Sequence, residues 1–380
     1  MRRSLVDLLV SAPHALTMEG DGVGYQADIA LAIDRGRIVA LGPAPDITAE
    51  YSAERSIGAS HHVLLLGFID AHMHTAMALL RGLAQDTRNW MMYGLGPFSA
   101  QLSEAAMAAG TRLAVIEALK AGTTTFGDYG WSMDDACAFL QRVGARGAIT
   151  VTIREVVPRM HDPGELYEFD SALGDQRLAE NLRVFDRWHT AANGRLRVFF
   201  GPQGPDFLGQ KLLQEVQRAA RERQTKIHMH TAQGDRETAQ MHLRYGQRSI
   251  AWLDALGYLD ERLLAVQLTE ASEEEAQLVA RRGARLVRRS PPNRSSRSHE
   301  SWSKALGPEF SGDTQEPARV RALPRGGRRV HCAGDSWPRR TATTTACASS
   351  RPNTSVLVRP GAAPRQDGPG AADSRARART

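Results

Sequence analysis

The 380 residues are enough for one large domain and a smaller one, and no stretch of about 18 uninterrupted apolar residues predicts a membrane span. Three cysteines, an odd number without CxxC spacing, argue against a disulfide framework or a cysteine–zinc site and suit the cytoplasm. The net charge of +6 is uneven, because residues 286–380 hold 18 Lys and Arg against 7 Asp and Glu, which leaves 30 basic and 35 acidic residues in 1–285. The basic whole-chain charge therefore does not indicate that the folded part binds nucleic acid.

Residues 1–62 predict short strands joined by turns. The segment Asp28–Ile33 has the alternating side-chain pattern of a strand, Asp34–Gly36 has the residues of a turn, and Arg37–Gly42 can form the returning strand. This order is typical of a β-hairpin. The region is too short for a core of its own. We expect a small β-sandwich part that packs against a neighbour.

From residue 63 the pattern changes to strands that alternate with helices. Strands are predicted at Leu64–His74, Thr123–Asp128, Ala148–Glu155, Leu196–Gly201, Lys226–His230, Leu263–Leu268 and Ala284–Val287. Helices are predicted at Ser103–Ala121, Arg177–Asn193, Asp235–Tyr245 and Ser249–Leu256, and a capping box at Ser272–Glu275 opens another that ends at Gly283. Repeated βα units predict an α/β fold, a (β/α)8 TIM-type barrel. An open doubly wound sheet is the alternative, but no Gly-rich dinucleotide fingerprint follows any strand.

Two histidine pairs stand at the ends of predicted strands. His72 and His74 end the apolar run Leu64–Ile69, which predicts a buried strand, and side chains at i and i+2 leave the same face of a strand. His228 and His230 repeat this spacing in the fifth predicted strand. Two imidazoles that point together suit one metal ion, whereas the alternative is polar residues where a strand meets its loop.

The regular pattern stops near residue 287. From Arg288 the chain mixes Arg, Pro, Gly, Ala, Ser and Thr, and Thr341–Ala346 is of low complexity. Such a composition buries too little apolar surface to offset chain entropy, so we expect residues 288–380 to be disordered. Polyanion binding through this basic tail is a weaker alternative, since no RGG repeat, interleaved aromatic or basic helical face supports it.

The hairpin, the strand Gly67–His74, the pair Arg81-Gly82 and the segment Lys120–Thr125 together resemble the amidohydrolase superfamily. The branch they resemble contains cytosine deaminase, S-adenosylhomocysteine deaminase and triazine chlorohydrolase. The similarity runs from near residue 5 to near residue 287. It implies a small β-sandwich beside a metal-containing (β/α)8 barrel, which here lacks its last strand. It also implies a hydrolase that uses metal-activated water on a non-peptide C–N bond or a C–Cl bond of a nitrogen heterocycle.

The resemblance also implies a metal site. In that family one zinc or iron(II) ion is held by both histidines of strand one, a histidine of strand five and an aspartate of strand eight. Carried over by position, the ligands are His72, His74 and His230, and three imidazoles leave a coordination position for water. Arg81 and Trp90 are candidates for lining the substrate pocket. The implied partner is a small nitrogen heterocycle, and related enzymes are often dimers or larger.

Glutamine replaces two expected catalytic residues. Gln233 stands three residues after the strand-five ligand, where the deaminases carry glutamate, and Gln267 occupies the position of a catalytic histidine on strand six. An amide orients a substrate through hydrogen bonds but does not accept and return a proton. Either Asp128, Asp235 or Glu237 transfers protons instead, or the chain is a catalytically inactive homologue.

The family's strand-eight aspartate has no counterpart in its usual Gly-Thr-Asp or Gly-Ser-Asp setting, and we interpret Asp335 as a chance imitation. The abrupt change in composition near residue 287 leads to the hypothesis that residues 288–380 are translated out of frame. High-GC coding sequence in a wrong frame gives Arg, Pro, Ala, Gly and Thr. We expect another reading frame downstream of codon 287 to encode a strand that ends in Gly-Thr-Asp or Gly-Ser-Asp, and its absence from both frames would contradict the hypothesis.

Overall fold

The computed structural model describes residues 3–19, 22–83, 95–162, 164–289 and 355–358. The chain divides into two compact units, Met1–Phe68 and Ile69–Thr380, which places the boundary six residues after the predicted one at residue 62. Within the described ranges, no helix has the length and apolarity that crossing a membrane requires.

The first unit is a five-stranded sheet with a short helix. Its elements are β1 (Ser4–Leu16), β2 (Tyr25–Asp34), β3 (Arg37–Pro43), α1 (Ala44–Glu50), β4 (Tyr51–Gly58) and β5 (Val63–Leu65). The strand order is β3-β2-β1-β4, with β5 also paired to β1, and the antiparallel pair β2–β3 confirms the predicted hairpin. The sequence analysis did not predict helix α1. Ile47 is the only buried residue of this helix, so its sequence lacks the repeat of apolar residues every three to four positions that indicates a helix.

The strands of the second unit lie side by side in chain order. They are β6 (Phe68–Met73), β7 (Thr123–Gly130), β8 (Arg146–Ile153), β9 (Leu196–Pro202), β10 (Ile227–Thr231), β11 (Leu263–Gln267) and β12 (Arg285–Arg289). The pairs from β7 to β12 are parallel. Ala71 of β6 and Phe199 of β9 pack against a small core that contains Val287 of β12, so the sheet curls back toward its first strand. This nearly closed, seven-stranded barrel confirms the predicted fold class, an incomplete (β/α)8 barrel.

Helices separate the barrel strands. A 3-10 helix (Thr75–Leu80) is followed by α2 (Gly96–Ser99), α3 (Glu104–Lys120), α4 (Met133–Val143), α5 (Ser171–Trp188), α6 (Ala191–Gly194), α7 (Gln210–Glu222), α8 (Asp235–Tyr245), α9 (Ser249–Ala255) and α10 (Glu273–Arg281). The predicted bounds of α8 and the capping box of α10 are confirmed. Helix α5 begins six residues before its predicted start, because the Asp170 side chain accepts from Ala172 N–H and Leu173 N–H.

The apolar run before His72 is not one buried strand, as the sequence predicted. It is divided between β5, which pairs with β1, and β6, which belongs to the barrel sheet. The side chains of Phe68 and Ile69 are 55% and 57% exposed, and burial begins at Asp70. Apolarity shows that a segment favours a strand, but it does not show which sheet the strand joins.

Some predictions fall beyond the described ranges. Trp90, Asp335 and most of the tail predicted as disordered lie there. Within residues 288–380 the structure describes the end of β12 and a further strand, β13 (Ser355–Val358), which pairs antiparallel with β12. Disorder of the tail outside this four-residue strand stays a prediction.

Gly127 of β7 permits a close approach of β6. A Cβ atom at Gly127 would lie 2.3 Å from the Ala71 carbonyl oxygen and 2.5 Å from its carbonyl carbon. We expect Gly127→Ala to push these strands apart and lower the free energy of unfolding by about 3 kcal/mol, at the upper end for overpacking, as measured by chemical denaturation. Gly58→Ala is the matched control, because a Cβ there meets nothing within 4 Å. Equal losses in both variants would contradict the steric argument.

Candidate metal centre

Three histidines meet at the C-terminal ends of β6 and β10. One ring nitrogen of each of His72, His74 and His230 lies within 4.8 Å of the others, and the Nε2 atoms of His72 and His230 are 3.2 Å apart. His72 and His230 are buried, whereas His74 is half-buried. In the part of the chain that the structure describes, no other group of three His, Cys, Asp or Glu side chains is close enough to share an ion. The fold thus brings together the three histidines that the sequence singled out.

Backbone carbonyls orient two of these imidazoles. His74 Nδ1 lies 2.7 Å from the Tyr129 carbonyl oxygen, and His230 Nδ1 lies 3.0 Å from the Gln203 carbonyl oxygen. A carbonyl oxygen only accepts, so each Nδ1 carries the proton and donates it, and each Nε2 keeps its lone pair. A metal-bound histidine is usually held in this way.

His228, the other histidine of β10, contacts the cluster through His72. Its Nε2 lies 3.0 Å from His72 Nδ1, and its Nδ1 lies 3.0 Å from Thr150 Oγ1. Burial, with a smaller contribution from His74, lowers the pKa of His228 to about 3, so its ring is neutral near pH 7. The structure groups His230, and not His228, with the first histidine pair.

Tyr129 at the end of β7 packs against all four histidine rings. Its ring centroid lies 5.0 to 5.8 Å from theirs. The hydroxyl donates to the Gly201 carbonyl oxygen at 2.7 Å, and burial raises the pKa of Tyr129 well above its ordinary value. The phenol therefore stays neutral and supports the rings from inside the barrel. Sequence analysis missed Tyr129, although its place directly after the strand-end residue Asp128 was a signal.

The carboxylate of Asp128 accepts two hydrogen bonds from Thr75. One oxygen accepts from Thr75 N–H at 3.0 Å and the other from the Thr75 hydroxyl at 2.5 Å. Burial raises the pKa of Asp128 to about 6, partly offset by these bonds. The carboxylate thereby fastens β7 to the residue after His74, which favours a positioning role over proton transfer. Asp235, another candidate for proton transfer, is exposed.

Glu237 is buried in the first turn of α8. Its carboxylate accepts from Ala232 N–H at 2.7 Å, from Gln233 N–H at 2.8 Å and from the Ser249 hydroxyl. Burial and then the neighbouring Asp206 raise the pKa of Glu237 to about 7. This carboxylate holds the backbone from which the Gln233 side chain projects.

The raised pKa of Glu237 predicts a pH dependence of stability. A folded-state pKa of about 7 lies above the ordinary value of 4.5, so the folded state binds the proton more tightly than the unfolded chain. The contribution of the Glu237 carboxyl group to the stability of the fold is complete below pH 4.5 and is lost as the pH rises through about 7. We expect the melting temperature of the wild type to fall across this window more steeply than that of Glu237→Gln, whose amide does not titrate. Identical pH profiles would contradict this origin.

The side chain of Gln233 faces a buried ion pair. Its Oε1 lies 3.4 Å from Arg236 Nη2, and Arg236 Nη1 lies 2.7 Å from the carboxylate of buried Asp206. The amide oxygen of Gln233 accepts from Arg236, so its amide nitrogen remains available as a hydrogen-bond donor. Gln203, which the sequence analysis missed, gives the carbonyl that orients His230. Its side-chain oxygen is buried and has no hydrogen bond to any residue that the structure describes.

Gln267 ends β11 in a left-handed backbone conformation. It pairs with Thr231 of β10, and its φ of 82° is sparsely populated for residues other than glycine. The Leu268 N–H donates to the Thr231 carbonyl at 3.0 Å and stabilises this bend. Strained backbone of this kind, which costs about 1–3 kcal/mol, clusters at functional sites.

Arg81, predicted to line a substrate pocket, forms an ion pair with Glu117 of α3. The nitrogen–oxygen distance is 2.6 Å, and both side chains are about one-quarter to one-third exposed. The pair fastens the end of the 3-10 helix to α3, and its partial exposure limits its contribution to stability. Substrate contact by Arg81 stays a prediction.

The model of the amidohydrolase family matches residues 63–308. This match covers more than half of the 380 residues, so the chain belongs to the amidohydrolase family. The match continues beyond residue 287, where the sequence analysis ended the resemblance.

The curated relatives include deaminases. The chain is 27% identical over 281 residues to a 5'-deoxyadenosine deaminase of Methanosarcina mazei, covering 73% of this chain and 61% of the relative. It is 29% identical over 278 residues to a 5-methylthioadenosine/S-adenosylhomocysteine deaminase of Desulforudis audaxviator, covering 73% and 60%. The chain thus spans less than two thirds of the length of these relatives.

Two solved structures share the fold. An adenosine deaminase from Xanthomonas campestris with bound zinc has a TM-score of 0.70 and 27% identity, covering 80% of this chain and 68% of that one. An atrazine chlorohydrolase from Arthrobacter aurescens TC1 complexed with zinc has a TM-score of 0.65, covering 78% and 70%, and its 17% identity shows the fold alone. The predicted resemblance to the deaminase and triazine hydrolase branch is confirmed.

The donor set fits a divalent metal ion. Neutral imidazoles whose Nδ1–H groups are anchored are ligands that zinc and other divalent transition metals take. His74 and His230 are anchored on backbone carbonyls through Nδ1, which leaves each Nε2 available to an ion, and His72 Nδ1 contacts the ring of His228. The cluster and the zinc bound in the similar adenosine deaminase structure together indicate a divalent metal.

Proposed function

We propose that this protein is a metal-dependent hydrolase that acts on a nitrogen heterocycle. The reaction would use metal-activated water to break a C–N bond other than a peptide bond, or a C–Cl bond, with ammonia, an amine or chloride leaving. The observation that carries the proposal is the convergence of His72, His74 and His230 with anchored Nδ1 atoms. One ion, zinc or iron(II), is the proposed cofactor, and when bound it lowers the pKa of a water so that hydroxide forms near neutral pH.

The residues around the histidines have binding and positioning roles in this proposal. Gln233 donates from its amide nitrogen to the substrate while Arg236 holds its oxygen, and Gln267 offers a second amide at the end of β11. Neither amide moves a proton. Asp128 and Glu237 act through the backbone segments that they hold.

Aminopurine nucleosides are the first substrates to test. The relatives are named as deaminases of 5'-deoxyadenosine and of 5-methylthioadenosine and S-adenosylhomocysteine. In each of these compounds the leaving amino group stands on an amidine-like ring carbon, which hydroxide attacks. Chlorinated triazines offer the same electron-poor carbon with chloride as the leaving group.

A catalytically inactive homologue is the second candidate. The neutral side chains of Gln233 and Gln267 favour it, because they stand where the family's proton-transferring residues are expected. The neighbouring carboxylates are already engaged in hydrogen bonds. Asp128 accepts from Thr75, and Glu237 accepts from two backbone N–H groups and from the Ser249 hydroxyl.

The test is product release by the purified full chain with its metal content measured in parallel. Ammonia release from 5'-deoxyadenosine and 5-methylthioadenosine, and chloride release from a chlorotriazine, are compared with the His72→Ala plus His230→Ala variant as background. Release above that background supports the hydrolase. Metal-loaded protein that releases neither product selects the inactive homologue.

A further inference from the structure

We propose that His228 is a positioning residue for the metal centre, which fixes the ring of His72 and is itself fixed by Thr150. The inference rests on the proposed function in one respect, that His72 ligates the ion through Nε2.

The three residues form one layer across the barrel interior. His72 belongs to β6, Thr150 to β8 and His228 to β10, which are the first, third and fifth strands of the barrel. Alternate strands of such a barrel supply the side chains of one interior layer. The three side chains are 3%, 0% and 1% exposed in that order, so water does not compete for the bonds between them.

The donor and acceptor directions follow from the ligand role. A neutral imidazole has one N–H group, so ligation through His72 Nε2 puts its proton on Nδ1. That proton is donated to His228 Nε2 at 3.0 Å, which leaves the proton of His228 on Nδ1. The His228 Nδ1–H then donates to Thr150 Oγ1, also at 3.0 Å. Each ring thereby fixes the tautomer of the next.

His228 differs from the groups that orient the other two ligands. His74 and His230 donate to backbone carbonyls, which no substitution removes, whereas His72 Nδ1 contacts the side chain of His228. The ring of Tyr129 stands at 82° to that of His228 with centroids 5.4 Å apart, which restricts rotation of the His228 ring. A partner held on two sides is suited to orient a ligand.

Four variants separate the hydrogen bond from the packing. His228→Leu keeps a buried side chain but removes the acceptor, and His228→Gln keeps an oxygen acceptor. Thr150→Val keeps the shape and removes the hydroxyl, and Thr150→Ser keeps the hydroxyl. Zinc affinity of the full chain is measured by competition with a chromophoric chelator. We expect the dissociation constant to rise about 10–100-fold in His228→Leu, as is usual when an outer partner of a ligand is lost, to rise in Thr150→Val, and to return toward wild type in the other two.

Zinc-edge X-ray absorption gives a second readout, the number of bound imidazoles. We expect three in the wild type and three in His228→Leu, since a positioning residue is not a ligand. A drop by one, or unchanged zinc affinity in both His228→Leu and Thr150→Val, would overturn the inference while leaving a metal centre in place. If His228→Leu does not fold, Thr150→Val decides alone. A wild type that binds no zinc would instead overturn the proposed function together with this inference.

Discussion

The variant His72→Ala plus His230→Ala is expected to bind no metal, whereas the wild type binds about one divalent ion per chain. The two substitutions remove two of the three converging nitrogens and leave one half-buried imidazole, His74. A single neutral imidazole does not retain a divalent ion through dialysis. Metal content per chain, measured by plasma mass spectrometry on dialysed protein, checks the prediction.

His242→Ala is the matched control for that variant. His242 is exposed on α8 and is not part of the histidine cluster, so its loss should leave the metal content unchanged. Circular dichroism of the metal-free proteins shows whether all of them fold alike. Equal metal content in the wild type and the double variant would contradict the three-histidine centre.

Gln233→Glu is expected to raise kcat/KM for hydrolysis by about 10²–10⁴-fold, the usual contribution of a general acid–base group. The two side chains have the same shape, and Arg236 Nη2, 3.4 Å from the present amide oxygen, would orient the new carboxylate. The backbone position is already fixed by Glu237, which accepts the N–H of residue 233. Initial rates of ammonia or chloride release check the prediction.

Gln214→Glu matches that change in charge at an exposed position of α7 and should have no effect on the rate. If Gln233→Glu is no faster than the wild type although it binds metal, the missing carboxylate is not what limits hydrolysis. Gln267, or the predicted lack of a strand-eight aspartate, would then be the limiting departure from the family.

Much of the site could be predicted because its signals are local. The spacing of His72 and His74 places both side chains on one face, and the periodicity of strands and helices indicates which strand ends share an edge. The inference about the first pair needs only the order of elements along the chain. The choice of His230 over His228 came instead from the resemblance to the amidohydrolase superfamily, and the fold brings His230 to the first pair.

Other parts depend on distances across the barrel that no local pattern contains. The contact between His228 and Thr150 joins residues 78 positions apart, and the Tyr129 hydroxyl reaches Gly201 over 72 positions. Which side chains meet there depends on strand register and barrel closure. For the same reason the sequence could not show that the run before His72 is divided between two sheets.

The most direct test of the metal centre is anomalous diffraction at the zinc edge from crystals of the zinc-loaded full chain. We predict one peak at bonding distance, about 2.0–2.1 Å, from a nitrogen of each of His72, His74 and His230. A peak bonded to His228, or no peak among these histidines, would contradict it.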